Sequence, residues 1–315
     1  MTLHLRSYRL VLTVLVLAAA GLSFGCTATT ESHFVLTQDI AQSHPDCEGI
    51  DPVPKQTATM AVLGEDARAS ARKYGAENVL ILFDVDNTLL ASRQLLGSDQ
   101  WFTWREDVME EGGFPCLLDA ARLLFEHGSM RTTDPNAPSL VRALQAEGIG
   151  TGVLTSRGPD LQAVTWRELA VAGFDFLSNS PPGWFADDSK ESQPARYEYG
   201  IFMTSGLNKG TMAVDLLNKT GIRDTVKKVI FVDDKAKHVC RVQKSMQELG
   251  IDVSAYHYTA EDIRVAPVVN RDPATMERLR KAWTHFEDQL VCRSEHCEEA
   301  TQSCAATWKT YGEDG

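Results

Sequence analysis

The stretch "VLILFDVDNTLL", residues 79–90, constrains this chain more than any other. Its first five residues, Val79–Phe83, are an uninterrupted apolar run that reads as a strand buried on both faces. It ends in Asp84 and Asp86, one residue apart. Carboxylates at the end of a buried strand are unfavourable unless something pairs with them, so partners for them are expected elsewhere in the chain.

The pattern recurs. "NVLILF", "IGTGVLTSR", "KKVIFVDD" and "IDVSAYHY" read as strands, and "YEYGIFMT" as a strand or hairpin arm. Helical stretches separate them: "MAVLGEDARASARKYG" ending at Gly75, "CLLDAARLLFEHG", "PSLVRALQAEG", and "PDLQAVTWRELAVAG", opened by Pro159 and closed by Gly173. "KGTMAVDLLNKTG", "KAKHVCRVQKSMQELG" and "DPATMERLRKAWTHFEDQLV" complete the set. Strands alternating with helices predict an α/β fold of three layers, a central parallel sheet with helices on both faces. Ligands of such sheets bind outside the carboxyl ends of the strands. Three strands here end in reactive polar residues, Asp84, Thr155 and Asp233.

These strand ends resemble a known family. "FDVDNT" is similar to the nucleophile motif of the haloacid dehalogenase (HAD) superfamily in its phosphohydrolase form. "VLTSR" resembles its second motif, Lys209 in "GLNKG" its third, and "VIFVDD" the paired acids of its fourth. All four stand in family order over residues 78–258, and "GSDQWFTW" resembles an exported bacterial branch of unknown function. The resemblance implies a HAD-like Rossmannoid fold. Between the first two motifs lie about 70 residues, more than a βα connection requires. A small helical cap is expected there, over about 91–135. "SNSPPGWFADDSKESQPAR" is read as a second insertion, a loop.

The resemblance implies Asp84 as nucleophile, and passing a phosphoryl group to a carboxylate splits hydrolysis into two easier steps. Asp86 is expected to protonate the leaving oxygen and then to activate water. The repulsion between Asp84 and phosphate oxygens calls for a hard cation, and Mg²⁺ prefers a few carboxylates plus phosphate and water oxygens. Asp84, Asp233 and Asp234 are its expected ligands, Asp234 directly or through water, with Asp86 joining through its backbone carbonyl by family analogy. Asp234 has a capping role as its alternative. Lys209 is expected to neutralise charge on Asp84 and the phosphoryl group, and Thr155, or Ser156 in its place, to hydrogen-bond a phosphate oxygen. Arg157 is read as exposed rather than as a substrate contact. Trp101, Phe102 and Trp104 are read as packing rather than pocket lining.

The chain has 315 residues and a net charge of -12, with 43 acids against 31 Lys and Arg. That balance argues against nucleic acid as a partner and leaves room for a small phosphorylated substrate. "MTLHLRSYR" followed by "LVLTVLVLAAAGLSF" reads as an export signal over residues 1–25. "LSFGC" resembles a bacterial lipobox, with Ser23 where a branched aliphatic is usual. Cys26 is the expected lipid site, and cleavage near Ala28 is the alternative. Residues 26–58 are read as a tether, 59–291 as the catalytic domain and 292–315 as a cysteine-containing tail. Beyond Cys26 stand Cys47, Cys116, Cys240, Cys292, Cys297 and Cys304. An even set permits disulfides without fixing their pairing. In the tail a disulfide or free thiols are favoured over a metal site completed by His296.

Together these readings predict a Mg²⁺-dependent phosphomonoesterase that forms an aspartyl-phosphate and acts on an extracytoplasmic substrate. A lipid at Cys26 would hold it on a bacterial membrane, facing the periplasm or the cell exterior. The alternative address is soluble, periplasmic or secreted. A phosphotransferase of the same fold and a non-catalytic binding lipoprotein are the alternative functions.

Overall fold

The computed structural model describes residues 44–108, 114–187, 189 and 193–290. The expected signal over 1–25, Cys26, and the tail over 292–315 with Cys292, His296, Cys297 and Cys304 lie outside them, as does the Cys116 side chain.

The strands are β1 Lys55–Thr57, β2 Val79–Phe83, β3 Leu90–Ser92, β4 Met130–Thr132, β5 Gly150–Thr155, β6 Phe185–Asp187, β7 Ala195–Glu198, β8 Ile201–Met203, β9 Lys228–Asp233 and β10 Asp252–Tyr258. The helices among the described residues are α1 Ala61–Tyr74, α2 Asp99–Val108, α3 Phe114–His127, α4 Ala137–Ala146, α5 Gln162–Val171, α6 Lys209–Lys219, α7 Ala236–Glu248, α8 Asp262–Val269 and α9 Pro273–Leu290. One large sheet runs β1-β10-β9-β2-β5-β8-β7-β6. Every pairing from β1 to β8 is parallel, and β7 and β6 continue it antiparallel.

Side-chain alternation explains why the central strands are apolar throughout. In β2, Val79, Ile81 and Phe83 pack with Leu63 of α1 and with Val141 and Leu144 of α4. Leu80 and Leu82 point the other way, into a core with Leu216 and Leu217 of α6 and Val239 and Val242 of α7. Helices therefore cover both faces of the sheet. Each such side chain contributes about 1.5–3 kcal/mol by leaving water. The close approach of α6 and α7 depends on Gly210, where a Cβ would meet Arg241 O at 2.5 Å.

Three readings are corrected by the structure. Residues 44–58 are not tether: β1 adds to the sheet edge with Lys55 opposite Tyr256, Cys47 is disulfide-bonded to Cys240, and Asp46 pairs with Arg241. "KQT" is too short and polar to announce a strand, and its pairing with β10 defines it. The expected loop over 178–196 holds β6 and the start of β7, where Phe185 packs on Tyr197 and Phe202. The insertion over 91–135 is not purely helical, because β3 and β4 form an antiparallel ribbon at its base. Within it Trp101 is buried against Trp283 of α9, ring centroids 5.6 Å apart, and Phe102 and Trp104 lie against the same cluster. They are packing residues.

Candidate active site

β2 and β9 run side by side and deliver their acids to one place. The Asp84 amide extends the ladder by donating to Val232 O at 3.0 Å. The chain then turns back sharply, with the amides of Thr88, Leu89 and Leu90 all donating to Val85 O and Asn87 at φ 59°. Asparagine tolerates this left-handed conformation better than most residues. The turn brings Thr88 inward, where its hydroxyl donates to Asp84 Oδ2 at 3.2 Å and accepts the Asp234 amide at 3.0 Å. Thr88 therefore stitches the two acidic loops together.

Lys209 opens α6, whose first turn is capped by Asn208 Oδ1 accepting from the Gly210 and Thr211 amides. Its Nζ donates to Asp84 Oδ1 at 2.5 Å and to Asp233 Oδ2 at 2.6 Å. All three residues are buried. Burial alone would lower the Lys209 pKa, but Asp233 and Asp84 outweigh it and hold the ammonium charged. Burial pushes Asp84 up to about 7 against the pull of Lys209. For Asp233 burial also pushes upward, but Lys209 and the Lys235 amide prevail and leave it below the usual carboxylate range.

Asp234 completes the cluster. One carboxylate oxygen from each of Asp84, Asp233 and Asp234 lies within 4.8 Å of the other two. Burial, then Asp99 and Asp233, raise Asp234 well above the carboxylate range. Lys209 thus pairs with two of the three gathered carboxylates, and Lys235 stands near the third. The donors are all hard oxygens and their negative charge exceeds the positive, which fits a small divalent cation.

The expected site residues fall into three groups. Asp84, Lys209, Asp233 and Asp234 are brought together. Thr155 ends β5 next to β2, fully buried, with its hydroxyl accepting the Arg157 amide at 3.2 Å; Ser156 beside it is exposed. Asp86 turns from the cluster to Arg157, which grips both of its oxygens at 2.9 Å. The reading of Arg157 as exposed is overturned, because Asp86 and Glu168 compensate its charge in the interior.

The insertion closes over these strand ends. Asp99 of α2 pairs with Lys235 at 2.8 Å, Gln100 accepts from Asn87 at 3.1 Å, and the Phe125 ring of α3 lies against the Arg157 guanidinium.

Residues 59–295 match the family described as "Protein of unknown function (DUF2608)". The chain belongs to the DUF2608 family. The matched span carries every residue of the acidic cluster, together with Lys209, Arg157 and the insertion, and excludes Cys47 and β1. A protein of Chlamydia pneumoniae bearing the name "Putative outer membrane protein" is 21% identical over 196 residues, covering 60% of this chain and 72% of that one.

Thr88 and Arg157 both stand inside motifs that the sequence displays. Thr88 is the fifth residue of "DVDNT", and Arg157 directly follows the strand-end hydroxyls of "VLTSR". Thr88 meets Asp84 within the same motif, but the Asp234 amide that Thr88 accepts and the Asp86 partner of Arg157 lie too far along the chain for local pattern to reveal them.

Proposed function

We propose that this DUF2608 protein is a HAD-like phosphomonoesterase that uses Mg²⁺ and passes the phosphoryl group through Asp84. The observation that carries the reading is Lys209 Nζ bridging Asp84 and Asp233 with Asp234 alongside, at the carboxyl ends of adjacent parallel strands.

In the proposed cycle an Asp84 oxygen attacks phosphorus and the bond from phosphorus to the leaving oxygen breaks. Asp86 gives that oxygen its proton, and an alcohol departs. Water then attacks the aspartyl-phosphate and gives its proton to Asp86, releasing inorganic phosphate and the Asp84 carboxylate. Lys209 offsets the charge on Asp84 throughout. The carboxylates of Asp84, Asp233 and Asp234 would hold the Mg²⁺, with the Asp86 carbonyl. When bound, the ion acts as a Lewis acid on the phosphoryl oxygens. The Thr155 hydroxyl, which accepts from the Arg157 amide, keeps its own proton to donate to a phosphate oxygen.

The proposed address is extracytoplasmic. A disulfide between Cys47 and Cys240 suits an oxidising compartment, and the chlamydial relative carries an outer-membrane name. Lipid attachment at Cys26 is the proposed anchor.

A panel of phosphate esters with Mg²⁺, with chelator, and with Asp84→Asn tests the function. Turnover that needs both the metal and Asp84 is expected. Turnover undiminished by chelation or by Asp84→Asn would overturn the reading.

A further inference from the structure

Arg157 is a buried cation to which the cycle above gives no role. Its Nε and Nη2 donate to Asp86 Oδ2 and Oδ1, both at 2.9 Å. Its Nη1 donates to Glu168 Oε2 at 2.9 Å and to Thr165 Oγ1 at 3.0 Å, both on α5. The guanidinium also lies 4.3 Å from the centroid of the Phe125 ring, which belongs to the inserted helix α3. One side chain therefore joins the loop after β2, the helix after β5 and the insertion.

A paired fork fixes the plane of a carboxylate as well as its position, which a lysine cannot do. The fork takes one lone pair on each Asp86 oxygen and leaves the others free to carry a proton. Glu168 and Thr165 fix the far side of the guanidinium, so its orientation is set before substrate arrives. Phe125 covers the guanidinium from the insertion and limits water's access to the Arg157–Asp86 pair, whose side chains are 3% and 20% exposed.

We propose that Arg157 is a positioning residue that aims Asp86 at the leaving-group oxygen, and that Phe125 makes this aim depend on where the insertion sits. The inference rests on the phosphomonoesterase reading of the same site and adds what controls proton delivery within it. An insertion held down over the strand ends keeps the fork dry and Asp86 aligned; a displaced one loosens both.

The alternative role is a plain structural clamp between the β2 loop and α5. The two differ in their dependence on the leaving group. An alkoxide needs the Asp86 proton far more than p-nitrophenolate does. The test measures kcat/KM of the mature protein with Mg²⁺ on p-nitrophenyl phosphate and on glycerol 2-phosphate. Asp86→Asn sets the reference skew. Arg157→Lys is expected to lower turnover of the alkyl ester about tenfold more than that of the aryl ester, in the direction of Asp86→Asn. Phe125→Leu is expected to give a smaller skew of the same sign with unchanged melting. The double variant is expected to be no worse than Arg157→Lys alone, because both act through one path. Should Arg157→Lys fail to accumulate folded, Phe125→Leu carries the test, since it removes no charged group. Equal losses on the two esters, or a Phe125→Leu ratio identical to wild type, would overturn the inference while leaving the phosphatase reading intact. Wild type inactive on both esters, or Asp84→Asn fully active, would overturn the phosphatase reading and this inference with it.

Discussion

Lys209 Nζ donates to Asp84 Oδ1 at 2.5 Å across 125 positions of sequence, and the same ammonium reaches Asp233. Neither acid has another cation in hydrogen-bond contact among the described residues. Removing the lysine therefore leaves two buried carboxylates facing each other. Lys209→Met is expected to lower stability by about 3–5 kcal/mol in metal-free protein, and Mg²⁺ is expected to restore part of the loss by supplying the missing charge. Denaturant unfolding with and without Mg²⁺ checks both; wild-type stability in the metal-free variant contradicts the pairing.

The same cluster predicts a pH dependence. Burial pushes Asp84 up to about 7, against the pull of Lys209, from an ordinary value of 3.8. A carboxyl with a raised pKa keeps its proton in the folded state after the unfolded chain has released it. Its contribution to stability is complete below the unfolded value and is lost as pH rises through the folded one. Asp234 is raised too and acts with the same sign, whereas Asp233 is lowered and loses its contribution only as pH falls. Metal-free wild type is expected to lose stability relative to Asp84→Asn between pH about 4 and about 7. Parallel melting curves for the two proteins across that window would rule out the shift.

What the sequence revealed follows from how each element is held. β2, β5 and β9 are buried on both faces, so their apolar runs mark them directly. β1 is a three-residue edge strand with two of its residues exposed, and β6 is equally short, so their side chains carry little signal. At the site, the acids and Lys209 stand at the ends of legible elements. The burial of Arg157 is not legible in the sequence, because its compensating charge on Asp86 lies 71 residues away.

The proposed anchor makes a prediction independent of catalysis. Gly25-Cys26 follows an apolar core of signal-peptide length, and Thr27, not Asp, comes next, which favours outer-membrane sorting where such a membrane exists. A single acyl chain binds membranes only marginally, so stable anchoring needs the multiple chains of a lipoprotein. Cys26→Ser is expected to move the protein out of the membrane fraction or to block its maturation. Unchanged fractionation and an unchanged mature N-terminus would refute lipid attachment and leave the catalytic reading untouched.

The last prediction concerns the bond between Cys47 and Cys240, which are 193 positions apart. Both side chains are fully buried, and Ile50 and Ala236 pack around them. Cross-linking so long a loop restricts the unfolded chain, and removing a native disulfide typically costs about 2–5 kcal/mol. Cys47→Ser is expected to fall in that range. The bond joins the segment before β1 to α7, which starts directly after Asp233 and Asp234, and Asp46 to Arg241 reinforces the junction at 2.8 Å. Loosening should therefore begin at residues 44–57, with the β1–β10 ladder exchanging its amide protons before the central strands do. Hydrogen exchange on reduced and oxidised protein checks the order. Equal protection of β1 in the two forms would show that the edge strand holds without the bond.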